Sequence, residues 1–378
     1  PLIDKILSRP LLIERLRSLI GDTRRALILP FMTTLGEVEL AARLGVPVYG
    51  PDPSLAALGT KSGARRLFAE AGIPHPPGQE AVHTIADLVE AIGKLAAANP
   101  GIEAAMVKLD DSAGGLGNAV VRLQGVESET DLRRRIESLE VEDSEGSPEE
   151  FFAELETRGG IVEERITGPE VRSPSAQLRA NPQRQVEILS THDQLLGGAT
   201  GQTFLGCRFP ADQAYGALIA RLAERIGWIV AREGVIGRFG VDFVVARRGE
   251  SWYPYAIEIN LRNGGTTHPM LTMQALTGGE FDPNEGRFHT SQGERFYVAT
   301  DHLESPGFAA LTPDDILDYA DEDRLGWDPD RLTGVALHLV SAVAVAGRLG
   351  LTAVGLDPDD AQSRLESAEG LVNELARA

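Results

Sequence analysis

The stretch EINLRNGGTTHP, Glu258 to Pro269, follows an apolar-aromatic run, WYPYAI, and contains a glycine pair. Read as the end of a β-strand, its side chains alternate, so Glu258, Asn260 and Arg262 share one face and Ile257, Ile259 and Leu261 the other. The apolar face asks for a core. An acid, an amide and a guanidinium in a row ask for a ligand. Gly264 and Gly265 then break the strand and let the backbone pass close to it. Asp242, in GVDFVV, supplies a third hard oxygen donor from what would be a neighbouring strand. Such a donor set suits Mg²⁺, which takes one or two carboxylates, retains waters and completes its shell with substrate phosphates. Arg262 would then stabilise charge on a transferring phosphoryl group or an oxyanion.

A second cluster lies upstream. In AMVKLDDSAGGLGNAVVRL two strand-like runs flank a loop with Gly114, Gly115 and Gly117. A glycine-rich hairpin alone is a flexible turn, but Lys108 at the end of the first run supplies the point charge that phosphate binding requires. In VEERITGPE, Glu163 and Glu170 stand either side of a Gly168-Pro169 turn. By themselves these read as surface glutamates at a strand end. Arg172, Thr266 and Thr267 lie close enough to these motifs to be candidate substrate contacts.

Composition narrows the function. In 378 residues, 36 Lys and Arg face 56 Asp and Glu, a formal net charge of −20 that repels nucleic acid and anionic membranes. The one cysteine, Cys207, excludes an internal disulfide and a cysteine-rich metal site, and reads as a small buried hydrophobe. No leading basic-plus-apolar signal segment is present, so the expected compartment is the cytoplasm. The chain opens at Pro1 without an initiator methionine, which is compatible with a further domain upstream. A homodimer is a compatible oligomeric state.

Along the chain, helix LLIERLRSLI, strand ALILPF, helix GEVELAARLG and strand VPVYG predict a small α/β domain with parallel strands, ending near residue 76 at the Pro-rich IPHPPG. Further helices are expected over KSGARRLFAEAG and TIADLVEAIGKLAAA, and an exposed flexible loop over the acidic run Glu140 to Glu150. From Gly160, the strand-like GIVEERI, RQVEILS, VIGRFGVDFVVA and WYPYAIEIN around one long helix, AYGALIARLAERIGWIVARE, predict an α+β domain with a largely antiparallel sheet. Beyond residue 290 a strand, FYVATDHL, a buried helix over VALHLVSAVAVAG and a final amphipathic helix are expected.

The order of these parts resembles the ATP-grasp superfamily from about residue 26 to residue 270: Lys61 opening a helix ahead of AGIPHPP, strand Lys108 before a Gly-rich loop, the hinge EERITGPE, and Asp242, Glu258 and Asn260. EINLRNGGTTHP together with GLTAVGLDPDDAQ is similar to the pheganomycin-type peptide ligases, a branch with a pre-ATP-grasp domain. The resemblance implies an ATP-grasp fold of mixed α/β and α+β class: a pre-ATP-grasp α/β domain over 1–75, an ATP-grasp domain over 76–290 (lid about 76–162, larger sheet about 163–290) and a small α+β extension over 291–378. It also implies that Lys61 and Lys108 contact ATP phosphates under a loop from Ser112 to Gly117. Glu163 and the backbone near Ile166 would hold adenine, Glu170 the ribose, and Asp242, Glu258 and Asn260 magnesium, with Arg262 acting on the reacting group. Arg165, where relatives carry an apolar or aromatic hinge residue, and Asp110-Asp111 beside the phosphate loop depart from the pattern.

The implied activity is an ATP- and Mg²⁺-dependent carboxylate–amine ligase that forms an amide through an acyl phosphate, with small-molecule or peptide acid and amine substrates, in the biosynthesis of a peptide natural product. A kinase-like phosphotransferase, or an ATP-binding scaffold or sensor without turnover, would share part of this motif set. Arg262 argues against the scaffold, since nucleotide binding alone does not need it.

Overall fold

The computed structural model describes residues 1–112, 117–142, 146–198, 201, 203–320 and 325–377. At the N-terminus, α1 (Leu2–Leu7), α2 (Pro10–Ile20) and α3 (Leu35–Leu44) enclose a small core of Ile13, Leu40, Leu44 and Val46. The runs ALILPF and VPVYG do not form the expected strands. A single parallel bridge, Ile28 to Val48, joins them, because two strands without further neighbours make too small a sheet to be stable alone.

α4 (Lys61–Ala71) is capped by the Thr60 side chain and closed by left-handed Gly72. Gly63 is required in its first turn, where a Cβ would lie 1.9 Å from the Ala57 carbonyl oxygen. Ala64, Leu67 and Phe68 enter the main core. Lys61 and Arg65, four residues apart, share another face.

The next unit contains β1 (Gly78–Val82), α5 (Ile85–Ala98), β2 (Ala104–Leu109), β3 (Asn118–Arg122), α6 (Glu129–Glu137), β4 (Glu140–Val141), α7 (Pro148–Arg158) and β5 (Gly160–Glu164). Its antiparallel sheet runs β1-β5-β2-β3-β4, with Val107, Val121 and Val162 packed against Leu88, Ile92 and Leu155. The acidic run is not a free loop throughout. Glu140 and Val141 pair with β3, Glu142 is buried and accepts a 2.9 Å hydrogen bond from the Thr203 hydroxyl, and Pro148 already starts α7.

The large sheet is built from β6 (Val171–Arg172), β7 (Pro174–Ala180), β8 (Val186–Gly197), β9 (Thr203–Phe209), β10 (Gly237–Arg248) and β11 (Ser251–Asn260), with α8 (Gly216–Arg232) packed on β7 and β8 and α9 (Thr267–Thr277) following β11. After a small sheet of β12 (Glu280–Asp282), β13 (Arg287–Thr290) and β14 (Gly293–Glu294) come β15 (Phe296–Glu304), α10 (Pro313–Tyr319), β16 (Trp327–Asp328), β17 (Thr333–His338), α11 (Val343–Ala346), β18 (Arg348–Gly355) and α12 (Pro358–Leu375). The order is β11-β10-β7-β8-β9-β15-β18-β17-β16, with β6 on β10. The C-terminal strands therefore continue the large sheet.

VALHLVSAVAVAG is not a buried helix. Thr333–His338 is a strand paired with β18, so Leu337 faces Leu351 and His338 faces Gly350. The chain then turns at Leu339 (φ 55°) into short helical pieces that leave Val345 88% exposed. Periodicity cannot separate strand from helix in so short an apolar run.

Candidate active site

A cavity of about 1640 Å³ opens between the five-stranded sheet and the large sheet. Asp242 lies directly opposite Glu258 across β10 and β11, and Gly240 opposite Asn260, so the three oxygen donors share one face. Asn260 Nδ2 donates to Asp242 Oδ2 at 2.9 Å, while Asn260 Oδ1 accepts from Arg262 Nη2 at 3.0 Å. Burial, then the Glu258 carboxylate, push the Asp242 acid up, against the opposing pull of Ser175, Arg262 and Asn260. Two carboxylates facing each other across a strand pair destabilise it unless a cation intervenes. Lys61 supplies one, its Nζ donating to Glu258 Oε1 at 2.7 Å and to the Ser112 carbonyl at 2.8 Å. Among the described residues no cluster of three His, Cys, Asp or Glu forms a metal site. Two carboxylates and an amide fit magnesium, which retains waters.

A second charge network reaches the cavity through Lys108 and Glu163. Glu163 joins Lys108 (2.5 Å) to Arg65 (3.2 Å), and Arg65 also meets Glu80 (2.5 Å) and the Pro76 carbonyl (2.8 Å). Lys61, Arg65, Lys108 and Glu163 are each at most 5% exposed. Glu164 is tied by its Oε1 to Asn99 Nδ2 at 2.9 Å, and both glutamates line the cavity. The Arg165 amide donates to the Ala104 carbonyl, and Ile166 faces the same space.

Most of the residues singled out in the sequence converge. Lys61, Lys108, Ser112, Glu163, Ile166, Arg172, Asp242, Glu258, Asn260, Arg262 and Thr266 all line the cavity. Glu170 does not; its carboxylate pairs with Arg172 (2.6 Å) and Arg247 (3.2 Å). Arg172 is further held by Asp212 at 3.2 Å and lies over Trp252. Thr267 caps a turn, its hydroxyl accepting from the Gly264 amide at 2.9 Å, whereas Thr266 is buried with its hydroxyl oxygen unpartnered. Gly117 adopts φ 78°, and a Cβ there would meet Ser112 at 2.7 Å. Gly114 and Gly115 lie outside the described residues.

Sequence reasoning missed Arg65, legible only as the residue one helical turn after Lys61. It also missed β7, which brings Ser175 and Gln177 opposite Asp242 and Gly240. Phe31 was overlooked as well: Asn263 holds the N-terminal segment through the Pro30 and Phe31 carbonyls (2.8 and 2.9 Å), setting the Phe31 ring 5.7 Å from the Arg262 guanidinium. Cys207 is fully buried and burial raises its thiol well above the ordinary range, so it is packing, as expected.

The IQCH-like ATP-grasp family model matches residues 53–147 and 146–284, and the PGM1 C-terminal domain model matches residues 315–368. The L-propargylglycine--L-glutamate ligase of Streptantibioticus cattleyicolor is 32% identical over 380 aligned residues, covering 98% of this chain and 76% of that protein. Among solved structures, the biotin carboxylase–β-γ-ATP complex from Campylobacter jejuni superposes with a TM-score of 0.62 at 17% identity over 94% of this chain and 76% of its own. N5-carboxyaminoimidazole ribonucleotide synthetase from Thermus thermophilus gives 0.57 at 17% identity over 95% and 84%. These two likenesses establish the fold; the match to the Streptantibioticus ligase extends through nearly every residue described above. The chain belongs to the ATP-grasp family of ligases.

Proposed function

We propose that the protein joins a carboxylate to an amine through an acyl phosphate, at the expense of ATP and with magnesium. The observation that carries this reading is the arrangement Lys61–Glu258–Asp242–Asn260–Arg262, in which two facing carboxylates and an amide are bracketed by a lysine and an arginine at one end of a cavity wide enough for two substrates and a nucleotide. Asp242, Glu258 and Asn260 would hold magnesium, which supplies charge neutralisation at the phosphoryl oxygens. Lys61 and Lys108 draw the phosphates in as point charges, and Glu163 fixes Lys108. Arg262, anchored on Asn260, steadies the carboxylate oxygen as it attacks the γ-phosphorus and then the charge that develops on the acyl carbon.

The L-propargylglycine--L-glutamate ligase supports amino acids as the acid and amine, and a peptide natural product as the destination. The division into units at 1–75, 76–290 and 291–378 belongs to the same reading, as does adenine near Glu163 and Ile166. Arg172 and Glu170 bind each other, so a substrate or ribose role for either requires that pair to open. Thr266, with its hydroxyl unpartnered at the cavity wall, is the better substrate contact of the two threonines.

The test is a panel of amino acids and short peptides, offered in pairs with ATP and Mg²⁺ and read by phosphate release, beginning with L-glutamate and L-propargylglycine. Phosphate and an amide in equal amounts are expected from at least one pair. ATP turnover giving a stable phosphorylated product without amide would instead support phosphotransfer.

A further inference from the structure

On the cavity wall, α9, β15 and β17 bring together a group that the ligase chemistry above does not use. His268, in the first turn of α9, and Asp301, on β15, both line the cavity. His338 ends β17, with its ring centroid 4.2 Å from that of His268 in an edge-on arrangement. Its cross-strand partner is Gly350, where a Cβ would come within 2.1 Å of the imidazole, so only glycine leaves room for the ring. The Nε2 atoms of both histidines are buried without a hydrogen-bond partner. Burying an unpaired imidazole nitrogen is unfavourable, and such groups persist where a ligand or proton completes them. The Asp301 Oδ1 faces His302 Nδ1 at 2.5 Å.

The charge here is opposite in sign to that of Lys61, Arg65 and Lys108. Burial holds His268 and His338 below the usual imidazole range; the His268 ring lowers His338 further and Asp301 opposes both shifts, so the neutral ring is favoured in each near pH 7. A carboxylate arriving here would meet Asp301 and two uncharged rings. An ammonium would meet an anion and the His268 ring, with His338 packed against that ring.

We propose that Asp301, His268 and His338 form the amine subsite: Asp301 binds the incoming ammonium and His268 accepts its first proton. This rests on the ligase reading. The neutral amine then forms the C–N bond to the acyl carbon, the C–O bond to phosphate breaks, the second proton leaves with the departing phosphate, and the first passes from His268 to solvent. The proximity is built by the chain: His268 lies six residues beyond Arg262, across the Gly264-Gly265 turn. The C-terminal strands thus close the acceptor side of the site.

The experiment uses the full chain and hydroxylamine, which is uncharged at neutral pH and needs neither an ammonium anchor nor a base. Asp301→Asn and His268→Gln are each assayed with the acid and amino-acid amine that the wild type couples in the panel above, and separately with that acid and hydroxylamine. Expected is a loss of at least about 10²-fold in kcat/KM for the amino-acid amine, with hydroxamate formation within about threefold of wild type and the thermal transition retained. The proposal is overturned if amide and hydroxamate fall together in a folded variant, or if neither falls. Should one variant fail to fold, the other decides. A wild-type enzyme that makes no hydroxamate from any acid would refute the ligase reading itself, an outcome distinct from failure of the subsite.

Discussion

Glu258 serves two partners at once: it neutralises Lys61 and it presents a carboxylate beside Asp242. Glu258→Gln keeps the shape and removes the charge, leaving Lys61 buried with a weaker acceptor and Asp242 relieved of repulsion. The expected result is a drop of ~10²–10³-fold in kcat, the usual cost of one oriented charge-stabilising group, and a higher magnesium concentration for half-maximal rate. Circular dichroism and a magnesium titration of phosphate release check it; full activity at the wild-type magnesium requirement would remove Glu258 from the metal site. At this scale the sequence was informative, because alternation on one strand brings Glu258 and Asn260 together without any tertiary knowledge. Arg262 lies past the strand end, yet its hydrogen bond to Asn260 keeps it in the same group. Arg65 and Asp301 were not legible, because nothing in their local sequence distinguishes an arginine or aspartate that reaches a cavity from one that faces water.

α4 depends on its first turn. Its capping threonine, Lys61 and Arg65 are all aligned by a helix whose third residue has no space for a side chain. Gly63→Ala drives a methyl into the Ala57 carbonyl, so the helix start must shift and carry Lys61 and Arg65 with it. We expect a lower thermal midpoint together with a raised KM for ATP, whereas Gly93→Ala in α5, where a Cβ meets nothing within 4 Å, should leave both unchanged or raise the midpoint slightly, since alanine favours helix. Unfolding and ATP-saturation curves on the two variants are the check. The elements that the sequence predicted well were those with a long period or strong punctuation, α4, α5, α8 and the β10–β11 hairpin. Those it missed are short or pattern-poor: β7, whose PSAQLRA mixes small and polar residues, and β17, whose identity as a strand depends on β18 lying beside it.

For the molecule as a whole, one continuous sheet joins β10 and β11 to the C-terminal strands, and buried histidines lie along it. His192, hydrogen-bonded to the Tyr297 hydroxyl at 2.6 Å, is fully enclosed, and burial lowers it to about 3; His338 is lowered to about 4. The unfolded chain takes up these protons near pH 6.5 while the folded chain does so only near 3 to 4, so their contribution is complete above about pH 6.5 and is lost as pH falls towards 4. Asp242, raised, acts in the opposite direction below about pH 6, so the histidine effect is read as a difference: the thermal midpoint of His192→Phe should fall less steeply than that of wild type between pH 6.5 and 4. Parallel curves would show that His192 does not titrate with unfolding.

Among the described residues no helix is long and apolar enough to cross a membrane. The central claim, that the carboxylate is activated by the γ-phosphoryl group of ATP, is tested most directly with the acid labelled with ¹⁸O in both carboxylate oxygens. Attack on the γ-phosphorus, followed by amine attack on the acyl carbon, transfers one ¹⁸O to inorganic phosphate and leaves ADP unlabelled. Label recovered in AMP, with pyrophosphate released, would contradict the account.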